Sequence, residues 1–81
     1  MSKPATSAPT RRVLGPAVRA LRIATGIKQG DLALRCGITP AYLSNIEAGR
    51  KQSASAVTVA IARELGVPLD AITYTTESAA A

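Results

Sequence analysis

The segment "DLALRCGITPAYLSNIEAGR", residues 31–50, constrains the fold of this chain more than any other stretch. Two helix-forming runs flank "CGIT", a break that is too short to be a flexible loop. Gly37 can adopt a positive φ that a Cβ would penalise, so the chain can turn sharply there. Two residues later Thr39 can cap a new helix, with Pro40 in its first turn. The spacing predicts two short helices that are joined rigidly and cross steeply.

The composition limits the size and the kind of core. The chain has 81 residues, enough for one small domain. Hydrophobic residues make up 47% of the sequence, yet it has no Phe or Trp and only two Tyr. A core of Ala, Leu, Ile and Val suits close-packed short helices better than a sheet sandwich. We therefore expect an all-α fold.

The charge balance favours an anionic partner. Ten Lys and Arg residues against five Asp and Glu residues give a net charge of +5. Nucleic acid is the commonest partner for such a chain, with a membrane surface or an acidic protein as alternatives. The first acidic residue is Asp31, so the basic charge is concentrated in residues 1–30.

Several functional classes are disfavoured by residues that are scarce. Cys36 is the only cysteine and there is no histidine, which excludes an intramolecular disulfide and any cysteine-based metal site. The usual acid–base, triad and zinc sites lose their commonest member. Arg19 and Arg22 interrupt any apolar stretch of a targeting peptide, and no run approaches the ~20 apolar residues of a membrane span. We expect a cytoplasmic protein that is not an enzyme and binds no metal or cofactor.

The pattern along the chain predicts three regions. Residues 1–12, "MSKPATSAPTRR", have no apolar period and are expected to form a disordered, flexible basic arm. Residues 13–73 are expected to form the domain, and residues 74–81 a flexible tail that is a possible dimerisation strand. Helix start and stop signals predict five helices, at residues 15–25, 29–36, 39–47, 55–65 and 69–72.

Residues 14–72 resemble the lambda-repressor/Cro-like (XRE-type) helix-turn-helix family. The resemblance lies in "LGPAVRALRIATGIKQGDLALRCGIT", in "TPAYLSNIEAGRK" and in "IARELGVPLDAI", and it covers about three-quarters of the chain. It implies a compact five-helix DNA-binding domain. It also implies a sequence-specific transcriptional regulator that inserts helix 39–47 into the major groove of double-stranded DNA. Phage Cro-type repressors, restriction–modification controllers and some antitoxins share this size, and the sequence does not choose among them.

The resemblance implies a set of DNA contacts around the third predicted helix. The residues expected to face base edges are Pro40, Ala41, Ser44 and Asn45. The residues expected to contact phosphates are Gln29, Thr39, Tyr42, Arg50 and Lys51. Ala41 would touch a thymine methyl and Asn45 would pair with adenine. Because Pro40 and Ala41 offer no side-chain hydrogen bond, DNA shape and minor-groove contacts from Arg11 and Arg12 are expected to add to recognition.

The resemblance also implies a buried ion pair between Arg22 and Glu47, which would tie the first helix to the third. A single small module needs a second copy for affinity. We therefore expect a homodimer on a pseudo-palindromic operator, with half-sites about 34 Å apart or a multiple of it. Leu69 and Ile72 are the residues expected at the dimer interface.

Two other functions remain open at this point. A protein-binding module of the same fold, such as an antitoxin that holds a toxin, would depend on exposed apolar surface of the fourth and fifth helices more than on Asn45. An enzyme is the second alternative. The sequence shows no nucleophile–base pair, metal cluster or phosphate loop in its support.

Overall fold

Four α-helices and a small two-stranded sheet make up residues 10–76, the part of the chain that the computed structural model describes. In chain order the elements are β1 (Thr10–Val13), α1 (Gly15–Ala24), α2 (Gln29–Cys36), α3 (Pro40–Glu47), α4 (Ser55–Leu65), a 3₁₀ turn (Leu69–Ala71) and β2 (Thr73–Thr76). The predictions made for residues 1–9 and 77–81 lie outside the described residues.

The tight junction between α2 and α3 forms as predicted. Gly37 has a φ of +72° and its backbone N–H returns to the last turn of α2, while Ile38 N–H donates to Ala33 O at 3.0 Å. Thr39 then caps α3, because its hydroxyl oxygen accepts a hydrogen bond from Tyr42 N–H at 3.1 Å. The left-handed residue and the cap each satisfy some of the free backbone groups at these two helix ends. The two helices are therefore held rigidly.

The prediction of an all-α fold is wrong, because β1 and β2 pair antiparallel with Thr10 opposite Thr76 and Val13 opposite Thr73. Residues 10–12 are thus not part of a disordered arm, and residues 74–76 are not a flexible tail. The half-buried side chain of Gln52 holds the end of β1. Its carbonyl accepts from Val13 N–H at 2.7 Å, and its amide nitrogen donates to Val13 O at 3.3 Å.

The predicted fifth helix is also wrong, since residues 69–71 form a single 3₁₀ turn. This turn packs against α4 and brings Ile72 into the core, where its side chain is fully buried. Ile72 consequently cannot present a surface to a second copy in this conformation. The prediction of Ile72 as a dimer-interface residue is therefore wrong.

The hydrophobic core joins all four helices to the two chain segments that form the sheet. Its buried members are Val13, Val18, Leu32, Ala33, Leu43, Ile46, Ile61, Ala62, Leu65 and Ile72. Aliphatic side chains of similar size can pack this closely without any aromatic ring. The core lies directly beneath α3 and fixes which side of that helix faces outward.

Gly15 sets the distance between α1 and α3. A Cβ at this position would overlap the carbonyl oxygen of Ile46 and lie 3.0 Å from that of Glu47. Both neighbours are backbone atoms at the end of α3, and they cannot rotate away. The absence of a side chain at Gly15 therefore allows α1 to approach the end of α3 directly.

We expect Gly15→Ala to destabilise the domain by about 2 kcal/mol, although alanine is the better helix former, because the two helices must separate. Urea unfolding followed by circular dichroism measures the change. Gly30→Ala is the matched control, since Gly30 lies in the first turn of α2 and a Cβ added there would meet no atom within 4 Å. It should raise stability by about 0.5 kcal/mol or more. Equal effects of the two substitutions would contradict the close approach at Gly15.

Candidate nucleic-acid interface

The outward side of α3 carries small side chains, two apolar and two polar, and its inward side is anchored. Leu43 and Ile46 are fully buried beneath the helix. On the opposite side Pro40 and Ala41 are exposed, and Asn45 is partly exposed. A helix that projects no bulky side chain outward can approach another surface closely along its whole length.

A buried ion pair holds the C-terminal end of α3. Arg22 on α1 donates to the Glu47 carboxylate through Nε at 2.6 Å and through Nη2 at 3.0 Å. Gln29 at the start of α2 adds a third donor at 3.0 Å, and Arg22 Nη1 also bonds Ile27 O at 3.0 Å. The Glu47 side chain is only 3% exposed. Three helices therefore converge on one carboxylate, and the ion pair expected from the resemblance is present.

The hydrogen bonds to Glu47 stabilise the charge of Arg22 and determine the direction of the Gln29 side chain. The hydrogen bond to Glu47 raises the pKa of Arg22 above its ordinary value, against the opposing effect of burial, so the guanidinium remains a cation. The Gln29 side chain is turned toward Glu47, a contact that sequence reasoning missed. The resemblance allowed a phosphate contact through either the Gln29 side chain or its backbone. The backbone N–H at the start of α2, which has no intrahelical partner, is the group left free for that contact.

The loop that leaves α3 folds back onto the helix. Gly49 has a φ of +79°, and its N–H donates to Ile46 O at 3.0 Å, while Arg50 N–H donates to Asn45 O at 2.9 Å. The Arg50 side chain also returns to Asn45, because its Nε donates a hydrogen bond to Asn45 Oδ1 at 2.9 Å. Sequence reasoning missed this side-chain bond. A glycine two residues beyond the helix end was the available signal for the turn.

The remaining predicted phosphate contacts lie around this surface in different environments. Thr39 and Lys51 are exposed, whereas Tyr42 is half-buried and packs against the core. Thr39 keeps its hydroxyl proton for an outside acceptor, since its oxygen already caps α3. Ser44 is partly exposed on α3.

Arg11 and Arg12 do not belong to a free arm, because both lie in β1. Arg11 is 3.7 Å from the Asp70 carboxylate in a solvent-exposed ion pair, and Arg12 is opposite Tyr74 in the sheet register. An exposed pair of this kind contributes little to stability. The two arginines border a cavity of about 160 Å³ beside the start of α4, near Val59. Their predicted contact with a minor groove stays a prediction, but from an ordered strand.

Other chemistry finds little support in residues 10–76. This part of the chain contains no group of three or more His, Cys, Asp or Glu side chains that could hold a metal ion. Burial raises the pKa of the Cys36 thiol, with Glu64 adding to the effect, so the reactive thiolate is disfavoured. Among the same residues, none of the helices is long and apolar enough to span a bilayer.

The geometry of α2, the Gly37 turn and α3 defines a helix-turn-helix protein. A family model described as helix-turn-helix (HTH_3) matches residues 18–72. The chain therefore belongs to the XRE-type helix-turn-helix family.

Solved structures of similar fold come from bacterial regulators. The clp gene regulator ClgR from Corynebacterium glutamicum has a TM-score of 0.69 and 33% identity, with 70% of this chain and 61% of that chain covered. The restriction–modification controller protein C.AhdI from Aeromonas hydrophila has a TM-score of 0.68 and 26% identity, covering 72% and 88%. The hypothetical transcription factor NHTF from Neisseria has a TM-score of 0.66 and 31% identity, covering 72% and 65%. The chain thus spans less than two thirds of ClgR and NHTF. No curated protein sequence matches it significantly.

We expect Glu47→Gln to lower the free energy of unfolding by about 3 kcal/mol, because it leaves the Arg22 guanidinium buried without a counter-charge. Chemical denaturation measures the loss. Glu64→Gln is the matched control. Its partner Arg63 is 3.8 Å away and two-thirds exposed, so the cost should stay below about 1 kcal/mol. Similar losses for both variants would show that burial of the Arg22–Glu47 pair does not increase its contribution to the free energy of unfolding.

Proposed function

We propose that this chain is a sequence-specific DNA-binding transcriptional regulator that inserts α3 into the major groove as a homodimer. The observation that carries the proposal is the rigid mounting of α3, with small side chains outward and Glu47 anchored beneath. A major groove about 12 Å wide admits a helix of this kind. The net charge of +5 and the regulators among the neighbouring structures support it. Such a protein would act in the cytoplasm, on the nucleoid.

In this proposal the phosphates are bound on both sides of α3. On one side stand the free backbone N–H of Gln29 and the hydroxyl of Thr39. On the other side stand Lys51 and the positive charge of Arg50. Tyr42 is half-buried and packs against the core, and its phenol group is proposed as a further phosphate donor. These contacts fix the register of α3 in the groove and do not themselves read sequence.

The base contacts come from the outward face of α3. Pro40 and Ala41 offer only apolar surface, which suits a thymine methyl group. Ser44 and Asn45 are the polar side chains of this face. Since direct hydrogen bonds are few, sequence-dependent DNA shape adds to the selectivity.

A second copy completes the proposed regulator. One module presents a single short helix, and two-fold symmetry doubles the contact with a pseudo-palindromic operator. Leu69 stays a proposed interface residue, because it is only partly buried. The adjoining strand β2 also pairs on one edge alone within residues 10–76. Thr73 at the start of β2 donates to Leu69 O at 2.9 Å, so the strand adjoins this residue.

Selection of bound fragments from random duplex DNA tests the proposal. We expect a pseudo-palindromic site whose half-sites are about 34 Å apart, or a multiple of that distance, recovered at both low and moderate salt. Uniform salt-sensitive binding to every duplex, with no enriched site, would exclude the regulator. The alternative of a protein-binding module, such as an antitoxin, would then be favoured.

We expect Lys51→Ala to weaken binding to all sequences alike and to reduce the slope of log K against log salt by about 0.9, the value for one lost phosphate contact. Fluorescence anisotropy at several salt concentrations measures the slope. Arg63→Ala is the control, because it also removes one positive charge. Arg63 lies near Cys36, at the opposite end of α2 from Gln29. That control should leave the slope unchanged. An equal change in both variants would mean that overall charge, and not a contact by Lys51, governs the slope.

A further inference from the structure

We infer that Asn45 and Arg50 form one hydrogen-bonding unit that presents donors to DNA and selects guanine over adenine at the base step facing Asn45. The inference rests on the proposed function and deepens it. It also corrects the simplest expectation for an outward asparagine on such a helix, which is a bidentate contact with adenine.

Two hydrogen bonds tie Arg50 to Asn45. The backbone N–H of Arg50 donates to the Asn45 carbonyl oxygen at 2.9 Å, and the side-chain Nε donates to Asn45 Oδ1 at 2.9 Å. The left-handed conformation of Gly49, with a φ of +79°, turns the chain so that both bonds form. Arg50 is therefore held over the end of α3.

The bond to Arg50 settles the orientation of the Asn45 carboxamide. Because a guanidinium nitrogen can only donate, the Asn45 atom facing it must be the oxygen. The Nδ2 group consequently lies on the opposite edge of the planar carboxamide, away from Arg50. Within residues 10–76 no acceptor is bonded to Asn45 Nδ2 or to the two terminal nitrogens of Arg50. The unit thus offers several N–H donors and only one remaining lone pair on Oδ1.

The base edges in the major groove differ in their hydrogen-bond acceptors and donors, so a unit rich in donors prefers some bases over others. Bidentate pairing of asparagine with adenine requires Oδ1 to accept from N6 while Nδ2 donates to N7. Guanine presents two acceptors in the major groove, N7 and O6, and needs only donors. Thymine presents one acceptor, and cytosine presents a donor that would face the Asn45 N–H groups. The unit is therefore complementary to guanine.

Adenine N6 would have to share Oδ1 with the Arg50 guanidinium, and its own N–H groups would face that cationic donor. The bond from Arg50 involves a charged donor, and such bonds are stronger than those between neutral groups. Breaking it also displaces a side chain whose backbone is fixed by the Gly49 turn. Arg50 is thus a positioning residue for Asn45, in addition to the charge that it places near the phosphates.

Arg50→Lys separates these two contributions. Lysine keeps the positive charge but replaces the planar, fixed donor by a strongly hydrated group on a flexible stem. We expect this variant to keep the salt slope of the wild-type protein. In selection from random duplex DNA, wild type should enrich guanine at the Asn45 step, and Arg50→Lys should change the preference toward adenine by about tenfold in relative Kd. Lys51→Ala is the control, since it should weaken all sites equally and keep the guanine.

A double-mutant cycle completes the test on duplexes that differ only at this base pair. Asn45→Ala should abolish the guanine preference, and Arg50→Lys should have no further effect on it in the Asn45→Ala background. Three results would each overturn the inference. The wild-type protein could prefer adenine at this step, Arg50→Lys could keep the guanine preference unchanged, or the effects of the two substitutions could be additive.

Failure of the inference and failure of the proposed function give different results. If the regulator proposal fails, no site is enriched for any variant. If only the inference fails, a site is enriched but its preference at this step does not respond to Arg50. Both residues are at least partly exposed, and thermal melting of each variant verifies that the fold is retained.

Discussion

The orientation of the outward helix depends on one buried carboxylate. Glu47 receives three hydrogen bonds from Arg22 and Gln29, and these two residues belong to the other two helices that surround it. A lone charge at this depth would be strongly unfavourable, so the arrangement is stable only when all partners are in place. Geometry at the surface of α3 is thus determined from below, and the nearby approach of Gly15 fixes the remaining freedom of that helix end.

A second level of organisation lies above this anchor, in the few residues that follow α3. The turn at Gly49 does more than end a helix, because it returns Arg50 to a side chain one and a half turns earlier. Because Arg50 orients the Asn45 carboxamide, the hydrogen-bonding groups that Asn45 presents are fixed before any partner binds. A pre-oriented group loses less entropy on binding than a freely rotating one.

Local signals in the sequence were enough for the four α-helices and insufficient for the sheet and the 3₁₀ turn. The bounds of α2, α3 and α4 follow from glycines, a threonine cap and proline, all of which act within a few residues. The pairing of Thr10 with Thr76 joins segments at opposite ends of the chain, and four-residue strands show no clear alternation. Ile72 was assigned to a surface for a related reason. The apolar character of one residue does not reveal which side of a short turn faces the core.

The candidate site divides in the same way. Its residues were named from the resemblance to the helix-turn-helix family around α3, and their contacts with DNA stay predictions. The partners of Gln29 and Asn45 could not be named in this way, because they depend on side-chain directions at helix ends.

The antiparallel pairing of β1 with β2 has a mechanical consequence. Thr10 and Thr76 sit at the same end of the ladder, so a pulling force on the segments before and after the domain loads the strands as a zipper. The ladder bonds then break one after another and not together. The strands should separate at low force as far as Val13, where the Gln52 side chain forms two hydrogen bonds with the backbone of β1. The helices would remain folded behind that point.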